Sequence, residues 1–214
     1  MKIGIIGGTG KEGKALAQRW SRAGHTIALG SRDAERARVA AEEMAAKGFQ
    51  DIAGGDNAWA SRESDVVVLC VPYTAHGDTL RGLGDALSGR VLIDITVPLK
   101  PPAVRTVNLP PGQAAALEAQ AIVGPTTPVV ATLHHVSSMH LGDADHGLDG
   151  DDVLLCTDDA RARNIAIELL RELGLRPIDA GPLQNAIALE AMTPVLLHIN
   201  KLHKTNSGLK ITGI

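Results

Sequence analysis

Three glycines carry the first chemical signal in this chain. Gly8, Gly10 and Gly13 stand in the spacing Gly-x-Gly-x-x-Gly, with Thr9, Lys11 and Glu12 between them. An apolar run of strand length, Lys2 to Gly7, precedes them and a helical pattern follows at once. In that strand-to-helix setting the spacing is a dinucleotide fingerprint. The first glycine permits a tight turn, the second lets the backbone approach a pyrophosphate, and the third lets helix and strand pack closely. The helix start offers unpaired N–H groups and a partial positive charge to phosphates.

The second βα loop decides which nicotinamide cofactor fits. Thr26 to Leu29 reads as the second strand, and Gly30-Ser31-Arg32-Asp33 follows. An NAD site places an acid at the end of this strand to hold the ribose 2′-OH. Here that position is Gly30, then come Ser31 and Arg32, with Arg36 one turn further on. A hydroxyl and two planar guanidinium forks suit a 2′-phosphate, so NADP is expected. Asp33 reads as the cap of the helix that begins there.

The other polar clusters are weaker. His134, His135, His140, Asp143, Asp145 and His146 are the densest group. A strand is predicted over 129–136, where His134 and His135 would point to opposite faces and could not share a metal. No metal is expected. His134 would end that strand facing the cleft. Ser137 and Ser138 lack the nucleophile elbow. Cys70 falls inside an apolar strand, and Gly13-Lys14 has no Ser or Thr after it to complete a P-loop. The chemistry is therefore expected to come from bound cofactors.

These residues need a scaffold. The chain has 214 residues, 44% hydrophobic and 21% charged, an ordinary globular balance. Aromatics are only 2%, so Ala, Val, Leu and Ile must build the core. A net charge of −3 argues against nucleic acid. No apolar run approaches the roughly 20 residues that span a bilayer. The first strand begins at residue 2, so no leader is expected, and the protein is expected in the cytoplasm. Strand and helix alternate through six predicted strands, among them a short one near 49–53 that begins at Phe49, 65–71 and 91–95, which reads as a doubly wound parallel sheet. Ligands in such sheets lie at the carboxyl ends of strands. That places Val71, Pro72 and Tyr73, with Ala75 to Thr79 in the next helix turn, at the nicotinamide half. Thr96-Val97-Pro98-Leu99 opens a proline-rich loop that runs to Pro111. A strand over 153–157, a helix over 158–173, a strand over 176–179 and a long apolar helix over 184–204 complete the chain. The expected architecture is α/β, with an N-terminal Rossmann domain over 1–140 and a small C-terminal α/β domain over 141–214. A helix apolar on several faces must be buried, so a homodimer interface is expected along 184–204.

Several stretches together resemble the NADPH-dependent reductases of coenzyme F420, a deazaflavin. They are Gly7-Gly8-Thr9-Gly10 with Gly13-Lys14, then Gly24-His25 and Gly30-Ser31-Arg32. The distal stretch Leu175 to Leu183 with Asn185, Glu190 and Thr193-Pro194 is similar to that family's C-terminal signature, and Gly208 to Ile211 also fits. The resemblance implies reversible hydride transfer between NADP(H) and coenzyme F420. It carries the phosphate contacts onto Thr9 to Glu12, and the 2′-phosphate contacts onto Ser31, Arg32 and Arg36. The deazaflavin pocket would take in Thr96 to Leu99 and His134 to Ser138, with the C-terminal domain completing it. Tyr73 stands where the family can have Trp, and Val136-Ser137-Ser138 replaces a more apolar stretch. His134 is implied as the donor to the deazaflavin's pyrimidine end, where reduction places negative charge. Two other readings stay open: an NADP-dependent reductase of another small substrate, such as an imine or a ferric chelate, and an NADP-binding sensor without turnover.

Overall fold

A computed structural model of the protein describes residues 1–142, 148 and 151–214, Ser138 by its backbone alone. The acidic positions Asp143, Asp145 and Asp149, and His146, lie outside the described residues. The first half alternates strand and helix: β1 (Lys2–Ile6), α1 (Lys11–Arg22), β2 (Thr26–Ser31), α2 (Ala34–Ala45), β3 (Ile52–Asp56), α3 (Asn57–Arg62), β4 (Val66–Leu69), α4 (Tyr73–Leu83) and β5 (Val91–Asp94). An irregular proline-rich loop follows, as the sequence predicts. Then come α5 (Ala115–Val123), β6 (Val129–Thr132), α6 (Ser138–Gly142), β7 (Asp152–Cys156), α7 (Ala160–Glu172), β8 (Arg176–Asp179) and α8 (Ala186–His203).

Among the described residues eight strands form one sheet in the order β3-β2-β1-β4-β5-β6-β7-β8. The first six are parallel, and β7 runs antiparallel to β6 before pairing in parallel with β8. The order 3-2-1-4-5-6 is that of a Rossmann sheet, whose strand order reverses between β1 and β4 and opens a crevice there. The C-terminal strands β7 and β8 thus extend the same sheet.

The central strands β1, β4, β5 and β6 are mostly apolar because both faces are covered. Period-two alternation sorts each strand's side chains between two cores. Ile3, Ile5, Val66, Val68, Val91 and Ile93 join Leu16 and Trp20 of α1 and Leu169 of α7 on one face. Ile6, Val67, Leu69 and Leu92 join Leu80 of α4, Ala116 and Ala119 of α5 and Leu189 of α8 on the other. Trp20 is 1% exposed, and its indole N–H donates to the Leu169 carbonyl at 3.0 Å. That bond ties α1 to α7 across the seam between the two halves of the chain.

Three expectations shift. β2 reaches Ser31, so the cofactor-selecting residues begin on the strand itself. The third strand runs Ile52–Asp56, a few residues later than the 49–53 predicted from Phe49. β6 ends at Thr132 and Leu133 takes φ 65°, which breaks the strand predicted through residue 136. His134 and His135 consequently sit in a turn, and the two-face argument for them does not apply.

Candidate functional site

The glycine loop leaves β1 through Gly7, whose φ of 75° is the left-handed turn of the motif. The turn therefore belongs to the glycine before the spacing's first one. Gly8 is buried and tied at both sides, its N–H donating to Ile5 O at 3.1 Å and to Gly30 O at 2.9 Å. A Cβ on Gly13 would lie 2.7 Å from Gly8 Cα, so the third glycine seats α1 against the loop. Gly10 begins α1 with no side-chain cap, which leaves the first amides for an anion. Thr9 is half-buried in the loop between them. Burial raises the Glu12 carboxyl above its ordinary range.

Two hollows open at the carboxyl ends of the strands. The smaller, about 510 Å3, is lined by Ser31 at the end of β2 and Arg32 just past it, Asn57 from α3, and Ala75 and Thr79 from α4. Ser31 is buried and its Oγ accepts from Asp33 N at 3.2 Å. Asp33 caps α2 as expected, accepting from the amides of Glu35 and Arg36 at 3.0 and 3.2 Å. A Cβ on Gly30 would meet Asn57 Oδ1 at 2.9 Å and Ala60 Cβ at 3.1 Å. So α3 fills the space an acid at position 30 would need. Arg36 is exposed on the first turn of α2 and lines neither hollow. Ala75 and Thr79 line this hollow and not the larger cleft that holds Val71, Pro72 and Tyr73, because the face of α4 that carries them, with Asp78 and Gly82, turns toward Ser31 and Asn57.

The larger cleft, about 610 Å3, borders the loop directly. Gly10, Lys11, Glu12 and Gly13 form one border, and Cys70, Val71, Pro72 and Tyr73 the end of β4. Thr96, Val97 and Leu99 form a second wall; Pro98 is buried and faces neither hollow. His134, Val136 and Ser137 form a third. Ser138 opens α6 by its backbone. The fourth wall, Thr193, Leu196, Leu197 and Asn200 of α8 with Asn206 and Ser207 beyond it, was not assigned to the site from sequence. Its signal was the spacing 193, 196, 197, 200, one apolar-to-polar stripe of a helix.

His134 is 4% exposed, and neither ring nitrogen has a hydrogen-bond partner. Burial lowers its pKa to about 4, against the opposing pull of Asp94, so the ring is neutral. A neutral imidazole offers one donor and one acceptor. The Thr96 hydroxyl in the same cleft is also buried without a partner. Buried polar atoms of this kind are normally satisfied, and here a polar-edged ligand would do so. Thr193 Oγ1 donates to His134 O at 2.6 Å and fixes the turn.

A buried network stands behind the Thr96 wall. Asp94 Oδ1 accepts from Thr96 N at 2.9 Å, and Asp94 Oδ2 lies 2.7 Å from His76 Nε2. Burial alone would lower the His76 pKa, but the Asp94 hydrogen bond and charge raise it. The Tyr73 hydroxyl donates to Glu118 Oε2 at 2.9 Å, and burial with that bond pushes it up to about 12. No described cluster of His, Cys, Asp and Glu side chains could hold a metal.

A Rossmann sheet, an uncapped glycine loop and two hollows at the carboxyl ends of its strands define a dinucleotide-binding protein with room for a second ligand. Known proteins make this specific. The family profile described as NADP oxidoreductase, coenzyme F420-dependent, matches residues 2–98. The chain is 38% identical to the F420-dependent NADP reductase of Methanothermobacter marburgensis, over 100% of this chain and 99% of that one. It is 34% identical to the enzyme of the same description from Methanocaldococcus jannaschii, again over 100% and 99%. The crystal structure of a candidate F420-dependent NADP reductase from Arthrobacter sp. FB24 superimposes with a TM-score of 0.82, at 26% identity over 96% of each chain. The chain belongs to the F420-dependent NADP reductase family.

Proposed function

We infer that this protein is an oxidoreductase that passes a hydride reversibly between NADP(H) and coenzyme F420. The observation that carries the reading is the larger cleft: it adjoins the glycine loop and holds unsatisfied polar atoms on His134 and Thr96. When bound, the two ring systems supply the hydride donor and acceptor carbons. The chain's own work is binding, orientation and exclusion of water. The amides at the start of α1 would hold the pyrophosphate, and Ser31 and Arg32 the 2′-phosphate. His134, neutral and half free to donate, would hold the polar edge of the deazaflavin. Residues beyond 140 close that side of the cleft through α8 and the segment after it.

Two further assignments accompany it. Ala188, Met192, Val195, Ile199 and Leu202 of α8 repeat at a four-three spacing. Val195 is 44% and Leu202 68% exposed. Such a stripe packs on a copy of itself, which supports a homodimer through α8. Cys70 and Cys156 are free thiols, which suits the reducing cytoplasm.

The test is spectroscopic. NADPH should be oxidised only when F420 is supplied, with matching loss of the oxidised deazaflavin absorbance. Turnover with an imine or a ferric chelate and none with F420 would overturn the reading.

A further inference from the structure

We propose that Asp152 and Arg176 are positioning residues for the deazaflavin side of the cleft, acting through the segment 205–214. The proposal rests on the hydride-transfer reading above. After α8 the chain turns at Lys204 with φ 52° and doubles back. Asn200 Oδ1 accepts from Ser207 N at 2.7 Å and from Ser207 Oγ at 2.6 Å. Asn200, Asn206 and Ser207 thereby make one polar rim of the cleft. Local bonds alone do not hold that rim, because the chain then leaves it and crosses to β7.

There it is knotted. Leu209 O accepts from Asp152 N at 3.0 Å, and Ile211 N donates to Asp152 Oδ2. Arg176 donates from Nε and Nη2 to the two oxygens of Asp152 at 2.6 and 2.7 Å. The same guanidinium donates to Ile211 O at 2.8 Å and to Ile214 O at 3.1 Å. The Asp152 side chain is 0% exposed. A pair that served only the sheet would bond within it, since Asp152 and Arg176 are direct neighbours across β7 and β8. Two of Arg176's bonds instead go to carbonyls of the crossing segment. The fork of a guanidinium can serve carboxylate and carbonyls together, which a lysine cannot. β7 also reaches the opposite wall, where Leu154 N donates to His135 Nε2 at 3.1 Å. One strand, through Asp152 at its start and Leu154 at its middle, therefore bonds both the crossing segment and the turn beside His134.

Arg176→Met removes the fork, Arg176→Lys keeps the charge with fewer bonds, and Ile211→Pro removes one segment donor while leaving the ion pair intact. The third variant guards against a fold damaged by an unpaired Asp152. In the full-length enzyme each is read by NADPH titration, by the separate KM values for F420 and NADPH, and by amide exchange over 207–211. Expected for Arg176→Met and Ile211→Pro are faster exchange there and a KM for F420 raised about tenfold, the scale of one lost contact. NADPH affinity should hold, and Arg176→Lys should fall between. A loosened segment with an unchanged KM for F420, equal loss for both substrates, or no loosening in either variant overturns the proposal alone. A wild-type enzyme that binds NADPH yet ignores F420 overturns the reading beneath it as well.

Discussion

Glu190 offers a sharp test of how α8 is held against the sheet. Its side chain is 2% exposed and accepts the amides of Ala115 and Ala116 at 2.7 and 3.0 Å. These are unpaired donors at the start of α5, whose own N-cap, Ala114, has no side-chain bond to give. A residue about 75 positions away thus caps the helix. Burial pushes the Glu190 carboxyl from 4.5 up to about 8, the two amides and His76 pulling down and Asp94 adding to the push. The sign follows directly. The unfolded chain releases this proton near its ordinary value, whereas the folded one keeps it until about pH 8. The folded state binds more protons in between, so its stability falls as pH rises through that window. At about 1.4 kcal/mol per pH unit, the loss from pH 5 to pH 8 is about 4 kcal/mol. Glu190→Gln abolishes that slope but leaves one amide facing an NH2 group, at a cost of about 1–3 kcal/mol. In urea unfolding the variant should be less stable than wild type at pH 5, with the gap closing or reversing by pH 8. Parallel stability curves from pH 5 to 8 would refute the assignment.

Arg32→Ala should raise the KM for NADPH roughly ten- to a hundredfold, the value of one charge-assisted phosphate contact, and leave NADH nearly unchanged; equal loss for both would refute the 2′-phosphate role. His134→Ala should slow F420-dependent turnover about ten- to a hundredfold without abolishing it, the low end of acid–base contributions, while NADPH titrates as before. Because burial holds His134 at about 4 against 6.5 when unfolded, wild type should lose up to about 3 kcal/mol as pH falls through that window. A His134→Gln variant whose acid sensitivity matched wild type would contradict the neutral buried ring.

The scaffold was legible because its signals are local. Val66 to Leu69 and Val91 to Ile93 are buried on both faces, which suits an apolar run. Asp33 was readable as a cap from its place before a helix. The errors arose where distant contacts decide. The 129–136 run is apolar enough for a strand, but Leu133 turns the chain and Thr193 locks the turn from α8. Ala75 and Thr79 line the hollow beside Ser31 and not the larger cleft because α4 faces α3, an orientation no helical period states. Lys11 to Gly13 and His134 were findable from motif and resemblance, and they line one cleft. Asn206 and Ser207 were not, because the chain returns there after α8 through bonds to Asn200 and then crosses to Asp152, more than 50 residues earlier.

Direct hydride transfer is the central claim, and isotope labelling tests it most directly. The enzyme is given NADPH carrying deuterium at carbon 4 of the nicotinamide, on the transferring face, with oxidised F420 in ordinary water. Because the two bound rings carry the reacting carbons themselves, the label should arrive at carbon 5 of the reduced deazaflavin without dilution, in wild type and in His134→Ala alike. Deuterium lost to solvent, or found only when His134 is present, would contradict the account.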